Sequence, residues 1–146
     1  MEIVGKGNGS DVLTQVPSPP AHLDAKEKKH YREIGKTLIT AGVLKSVHLM
    51  ALEVLATNRA LWIFAVKEIA KKNRKKYGEG YVQTYTTGAT NITTELAMKG
   101  RAEKLMLENL ALFGMDPISE KKLKGGLTNP NQGDLFEGFM NQKKAK

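Results

Sequence analysis

The chain has 146 residues, a formal net charge of +8 and a sequence pI near 9.6, which bound it to one domain that attracts polyanions. Cysteine is absent and the three histidines, His22, His30 and His48, are scattered; this excludes a disulfide scaffold and a thiolate metal site, and no metal or other cofactor is expected. A hydrophobic share of 40% excludes a disordered chain and allows a real core.

In chain order, residues 1–20 are rich in Gly, Ser and Pro and end in Val16-Pro17-Ser18-Pro19-Pro20. They bury little and read as a flexible arm leading into an extended segment. Asp24, with Glu27 three residues later, spells a capping box. From there Tyr31, Ile34, Leu38 and Ala41 recur at helical spacing, and Gly42 suits the left-handed residue that ends such a helix.

Ser46 is expected to cap a second helix running to about Lys75, roughly 45 Å long at 1.5 Å per residue. Its middle, Ala60-Leu61-Trp62-Ile63-Phe64-Ala65-Val66, is apolar on every face. Such a helix must be covered all round. Either neighbouring subunits do this through Leu61, Trp62, Ile63, Phe64 and Val66, or the rest of one chain does.

Tyr77-Gly78-Glu79-Gly80 breaks the long helix. Residues 81–85 and 90–93, β-branched and aromatic around a Gly-containing turn, predict a short hairpin. Thr93 or Thr94 caps a third helix, with Leu96, Leu105, Met106, Leu110 and Phe113 as its core side and Gly114 as its stop. Asp116-Pro117 opens a short fourth helix that Gly125-Gly126 ends.

The tail is polar except for Leu135, Phe136, Phe139 and Met140, which share one face of a short helix. That face reads either as a segment docking a partner or as one folding back on its own core. The expected fold is therefore mainly α. It comprises a helical hairpin with one long central helix, a short β-hairpin and two further C-terminal helices. The parts are an arm at 1–20, a helical domain at 21–125 for DNA binding and oligomerisation, and a flexible tail at 126–146.

The positive charge is concentrated. Residues 67–76 carry a net +5, with Lys71, Lys72, Arg74, Lys75 and Lys76 at the carboxyl end of the long helix, where cations complement the helix dipole. A second set, Lys26, Lys29 and Arg32, falls off the apolar stripe of the first helix. Such clusters neutralise phosphates without reading sequence, giving affinity and salt dependence. They also serve simply as solubilising surface. Tyr81 and Tyr85 share a strand face and could stack on bases, although packing against the long helix is the expected arrangement.

Catalytic signatures are missing. Gly35-Lys36-Thr37 echoes the end of a phosphate-binding loop, but the position of its first glycine is His30 and no strand precedes it. Nothing resembles a nucleophile elbow, a zinc-protease helix or a calcium loop, so an enzyme is not expected. The first two helices invite a helix-turn-helix comparison, yet the second is too apolar at its middle to lie whole in a groove. No apolar run approaches the roughly 20 residues of a membrane span. The amino terminus lacks the regions of a signal peptide, so the host cytoplasm is the expected location and no membrane partner is expected.

The order of these parts resembles the small subunit of tailed-bacteriophage terminase. The resemblance is carried by Pro19-Pro20 before Leu23-Asp24-Ala25, Thr40-Ala41-Gly42-Val43-Leu44 before the long helix, and the Ala/Leu-rich run at 51–60. It continues through the hairpin at 80–93 and Leu112-Phe113-Gly114-Met115-Asp116-Pro117 to Lys121-Lys122-Leu123. His48 departs from the pattern, standing where an acidic residue is expected. The resemblance implies a non-catalytic, ring-forming subunit that recognises double-stranded viral DNA near the packaging start. It further implies delivery of that DNA to the large ATPase and nuclease subunit. By the same reading the two basic sets contact phosphate, and the tail around Phe136 and Phe139 docks the large subunit. Two other readings compete: a dimeric DNA-binding transcriptional regulator, and a protein-interaction adaptor that binds no DNA.

Overall fold

The computed structural model describes residues 11–115. The elements, in chain order, are helix α1 (Ala25–Thr40), a single 3-10 turn (Ser46–His48), helix α2 (Leu49–Lys75), strands β1 (Val82–Thr84) and β2 (Thr90–Ile92), and helix α3 (Thr94–Leu112). The fold is mainly helical, with three described helices and one two-stranded antiparallel hairpin. The fourth helix expected at 116–125 and the tail with Leu135, Phe136, Phe139 and Met140 lie outside the described residues.

Helix α1 starts where the capping box requires. The Asp24 carboxylate accepts from the Glu27 amide at 2.8 Å, and the Glu27 carboxylate accepts from the Asp24 amide at 2.9 Å. Two of the amides left free at the helix start are satisfied in this way. Tyr31, Gly35 and Leu38 form its buried stripe, and Gly42 turns the chain at φ 70°.

Ser46 does not cap α2. It opens the 3-10 turn, whose flanking Lys45 makes no side-chain capping bond, and α2 proper follows from Leu49. The core lies where α1, α2 and the end of α3 meet: Leu38, Leu44 and Leu52 are almost wholly buried, beside Tyr31, Leu55 and Phe113. Each such aliphatic side chain contributes about 1.5–3 kcal/mol of hydrophobic stabilisation.

Residues 12–16 depart from the free arm expected up to residue 20. The Leu13 amide donates to the Leu44 carbonyl at 2.8 Å, Val12 bridges Lys45, and Val16 packs against the core. Gly35 allows this, because a Cβ there would sit 2.6 Å from a Val16 methyl. Two apolar side chains and one backbone bond outweigh the low apolar content around them.

Together with its leading turn, α2 is long and apolar enough by length and composition to cross a membrane, which the reading of individual apolar runs did not anticipate. Glu53, Asn58 and Arg59 interrupt it. Its residues Leu52, Leu55, Ala56, Asn58, Ala65 and Ile69 are buried inside the fold, so it serves as the core helix. Among the described residues its apolar middle is only partly covered: Ala65 is buried, Trp62, Ile63 and Val66 are half-buried, and Leu61 and Phe64 are exposed.

Candidate nucleic-acid interface

The basic end of α2 is held in place by its own sequence. Asn73, at the centre of the run, accepts from the Gly78 amide at 3.2 Å and the Gly80 amide at 2.8 Å through its Oδ1. The helix exit is thereby fastened to the turn that follows. Gly80 must be glycine, since a Cβ would lie 2.5 Å from the Ile69 carbonyl oxygen. The Thr93 hydroxyl donates to the Gly80 carbonyl at 2.7 Å and accepts from the Leu96 amide at 3.2 Å. One buried side chain thus ties the turn to the start of α3.

On this platform Lys71, Arg74, Lys75 and Lys76 are exposed. Lys72 is different: its Nζ donates to Glu95 Oε2 of α3 at 2.9 Å. That hydrogen bond is the main reason the Glu95 carboxyl titrates below its ordinary range, with the lysine charge adding to it. The second set behaves likewise in part. Lys26, Lys29 and Arg32 are exposed on α1, and Lys29 lies 3.9 Å from Glu33.

The sequence reading missed Lys28 and Lys36. With Arg32 between them they follow at intervals of four, which stacks all three on one face of a helix. They line a cleft of about 710 Å³ whose other wall is the extended stretch from Thr14 to Pro19. The spacing was visible in the sequence. What hid the cleft was the assumption that its far wall is a free arm.

The hairpin follows the basic end, with Val82 paired to Ile92 and Thr84 to Thr90. Tyr81 and Tyr85 do not pack away against α2 as expected: they are 39% and 48% exposed. Each strand is three residues long and exposed throughout, too short to fold an aromatic face back onto the helix. Tyr81 instead meets Tyr77 edge to face, with ring centroids 6.2 Å apart.

A second arrangement lies along α2 and α3. Trp62 donates through Nε1 to Glu103 at 2.8 Å, and Lys99 also pairs with Glu103. Hydrogen bonds from Lys99, first, and from Trp62 hold the Glu103 carboxyl below its usual range. The Arg59 guanidinium sits 5.1 Å from the Trp62 ring centroid, within cation–π range. Elsewhere, His48 meets Phe113 edge-on at 5.2 Å, and its Nδ1 is buried without a hydrogen-bond partner among the described residues.

In comparison with known proteins, the family described as phage terminase, small subunit, aligns over residues 28–129. Neither a curated protein nor a solved structure matches the chain. The matched stretch starts within the first turn of α1 and runs through α2, the hairpin and α3 into the residues after them, most of the chain. By that match, the protein belongs to the phage terminase small-subunit family.

Proposed function

We propose that the protein is the DNA-recognition subunit of a phage genome-packaging machine. It binds double-stranded viral DNA at the packaging start and assembles with its own copies into a ring. The ring then delivers the DNA to the large ATPase and nuclease subunit in the host cytoplasm, and this subunit takes no catalytic part itself. Family membership supports the packaging role. The observation that carries DNA binding is the pair of exposed basic surfaces on rigid helices. One comprises Lys71, Arg74, Lys75 and Lys76, with Lys72 beside them; the other comprises Lys26, Lys29 and Arg32 of α1, extended by Lys28 and Lys36.

Clustered Lys and Arg neutralise phosphates, which gives affinity in preference to sequence reading. A ring repeats each set about its axis, and modest attraction per copy then becomes avid. The exposed Leu61 and Phe64, with Trp62, Ile63 and Val66 around them, support self-assembly, since the described residues leave that part of α2 uncovered. Docking of the large subunit is proposed for Leu135, Phe136, Phe139 and Met140, a face read from sequence.

Light scattering of the purified protein, with and without a DNA duplex at two salt concentrations, tests the reading. A many-subunit species that binds duplex and releases it as salt rises is expected. A monomer or dimer with no salt-sensitive binding would instead favour the adaptor.

A further inference from the structure

We infer that the hairpin after α2 reads sequence in the major groove of duplex DNA, with Gln83 and Asn91 as its base-contacting side chains. This rests on the DNA-binding reading above and supplies what clustered Lys and Arg lack, a means of telling one sequence from another. Gln83 and Asn91 are Cα partners across the two strands, so their carboxamides lie side by side on one face. Tyr81 and Tyr85 flank Gln83 on that face and Ala89 flanks Asn91, because every second residue of a strand points the same way. All five are exposed. The Asn91 Oδ1 accepts from the Ile92 amide at 2.8 Å, which orients the group and leaves its Nδ2 as the donor.

The composition of the hairpin suits a groove floor better than open water. Strand edges facing solvent are usually guarded by Lys or another charge. From Gly80 to Thr94 this chain has no charged residue, although 26% of all its residues are charged. Base edges in the major groove offer neutral donors and acceptors and the thymine methyl group. Gln and Asn amides pair with purine edges, adenine N6 and N7 above all, and Ala contacts the methyl. The opposite face, with Val82, Thr84, Thr90 and Ile92, presents no amide side chain.

Shape and position agree with this. A two-stranded ribbon fits the major groove, which is about 12 Å wide and about 8.5 Å deep. From Tyr81 to Tyr85 the strand advances roughly 14 Å at about 3.4 Å per residue, enough to reach the floor. The turn is closed by the Gly88 amide donating to the Tyr85 carbonyl at 2.9 Å and the Tyr85 amide donating to the Ala89 carbonyl at 2.8 Å, with Gly88 at φ 83°. At its base the hairpin is fastened to the end of α2 through Asn73 and to α3 through Thr93. The exposed Lys71, Arg74, Lys75 and Lys76 come just before that base, placed to meet the phosphates that border an occupied groove. A third strand from a protein would also pair with an open edge, but it would need neither the amide pair nor the cationic border.

The test lets the full-length protein select from a pool of duplexes with a random core, and sequences the bound fraction. Wild type is expected to enrich a motif. Gln83→Ala and Asn91→Ala, both at exposed sites, should each cut the preference at one base pair by roughly tenfold or more. The salt slope on the unselected pool, the circular dichroism and the light-scattering mass should stay as in wild type. Gln83→Glu should shift the preferred base from adenine toward cytosine, since a carboxylate only accepts. Replacing the selected purines by 7-deaza analogues removes the N7 acceptor from the major groove alone, and should weaken wild-type binding as much as Gln83→Ala does. An unchanged motif in the double alanine variant would overturn the proposal and leave DNA recognition to another surface. Salt-sensitive binding with no motif in wild type would remove the reader while the DNA-binding reading stands. A fall in assembled mass in either variant would put the hairpin between protein chains and also overturn it. No binding to any duplex removes both.

Discussion

Lys72 Nζ lies 2.9 Å from Glu95 Oε2, joining the basic end of α2 to the first turn of α3. The pairing spends one charge of the run on the fold, while Lys71 and Lys75 remain exposed. Lys72→Ala should therefore change the salt dependence of DNA binding less than Lys75→Ala. Glu95→Gln should act the other way. It frees Lys72 to meet phosphate and steepens the slope of log K against log salt by about 0.9, the value for one added contact on duplex DNA. Binding isotherms at four salt concentrations measure both. Equal slopes for the two lysine variants would mean that the ion pair does not persist in the complex.

Thr93 is 2% exposed and serves two elements at once, as donor to the Gly80 carbonyl and as cap of α3. Thr93→Val keeps the shape and removes both bonds. Loss of a cap costs about 1 kcal/mol, and a buried carbonyl left without its donor costs about 1–3 kcal/mol. A destabilisation of about 2–4 kcal/mol is expected in urea unfolding. Thr93→Ser should restore most of it, because the hydroxyl rather than the methyl carries the effect. If Ser fails where Val succeeds, packing is the cause.

Acid should loosen the contacts that α3 makes with α2. Glu95 and Glu103 both titrate below the ordinary value of 4.5 in the folded chain, held down by Lys72 and Lys99 respectively and, for Glu103, also by Trp62. With the folded pKa lowered, the unfolded state binds more protons between the two values, so stability rises with pH there. The contribution is fully present above about 4.5 and is lost as pH falls through the folded values. Unfolding midpoints followed from pH 7 to pH 3 should drop in that lower range. The double variant Glu95→Gln/Glu103→Gln should flatten the drop. An unchanged profile would mean that other carboxylates govern acid unfolding.

Much of this architecture was legible because local chemistry and tertiary packing agree. Asp24 and Glu27, Gly42, the turn at 86–89 and Thr93 each satisfy backbone groups at the position where the pattern of apolar residues changes period. The readings that failed concern contacts between parts distant in sequence. Val16 against Gly35 depends on a missing Cβ nineteen positions on. Composition alone makes residues 12–16 look free. Ser46 has the chemistry of a cap, but the chain enters α2 through a 3-10 turn and the cap position of α2 is His48, which makes no side-chain capping bond. The candidate interface was legible as two runs of charge. Neither the pairing of Lys72 with Glu95 nor the cleft beneath Lys28, Arg32 and Lys36 could be read, because each needs a second element to complete it.

That cleft gives the two basic surfaces different characters, and charge-removal variants can separate them. On α2, Lys71, Arg74 and Lys75 stand on an open helix end beside exposed tyrosines, a geometry suited to the backbone of a duplex passing over it. On α1, the three basic side chains line a cleft whose far wall is the extended stretch with Thr14, Gln15 and Ser18, so they face a recess rather than an open helix end. Substitution of Lys71, Arg74 and Lys75 together by Gln should therefore weaken duplex binding most and flatten the salt slope by about 2.7, three contacts at about 0.9 each. The same substitution of Lys28, Arg32 and Lys36 should flatten it by less. Light scattering on each variant guards the comparison, because a loss of assembly would lower avidity without removing a contact. Should the α1 variant flatten the slope more, DNA runs along α1 and the end of α2 is solubilising surface. If neither does while assembly is intact, the chain reaches DNA through some other surface or not at all.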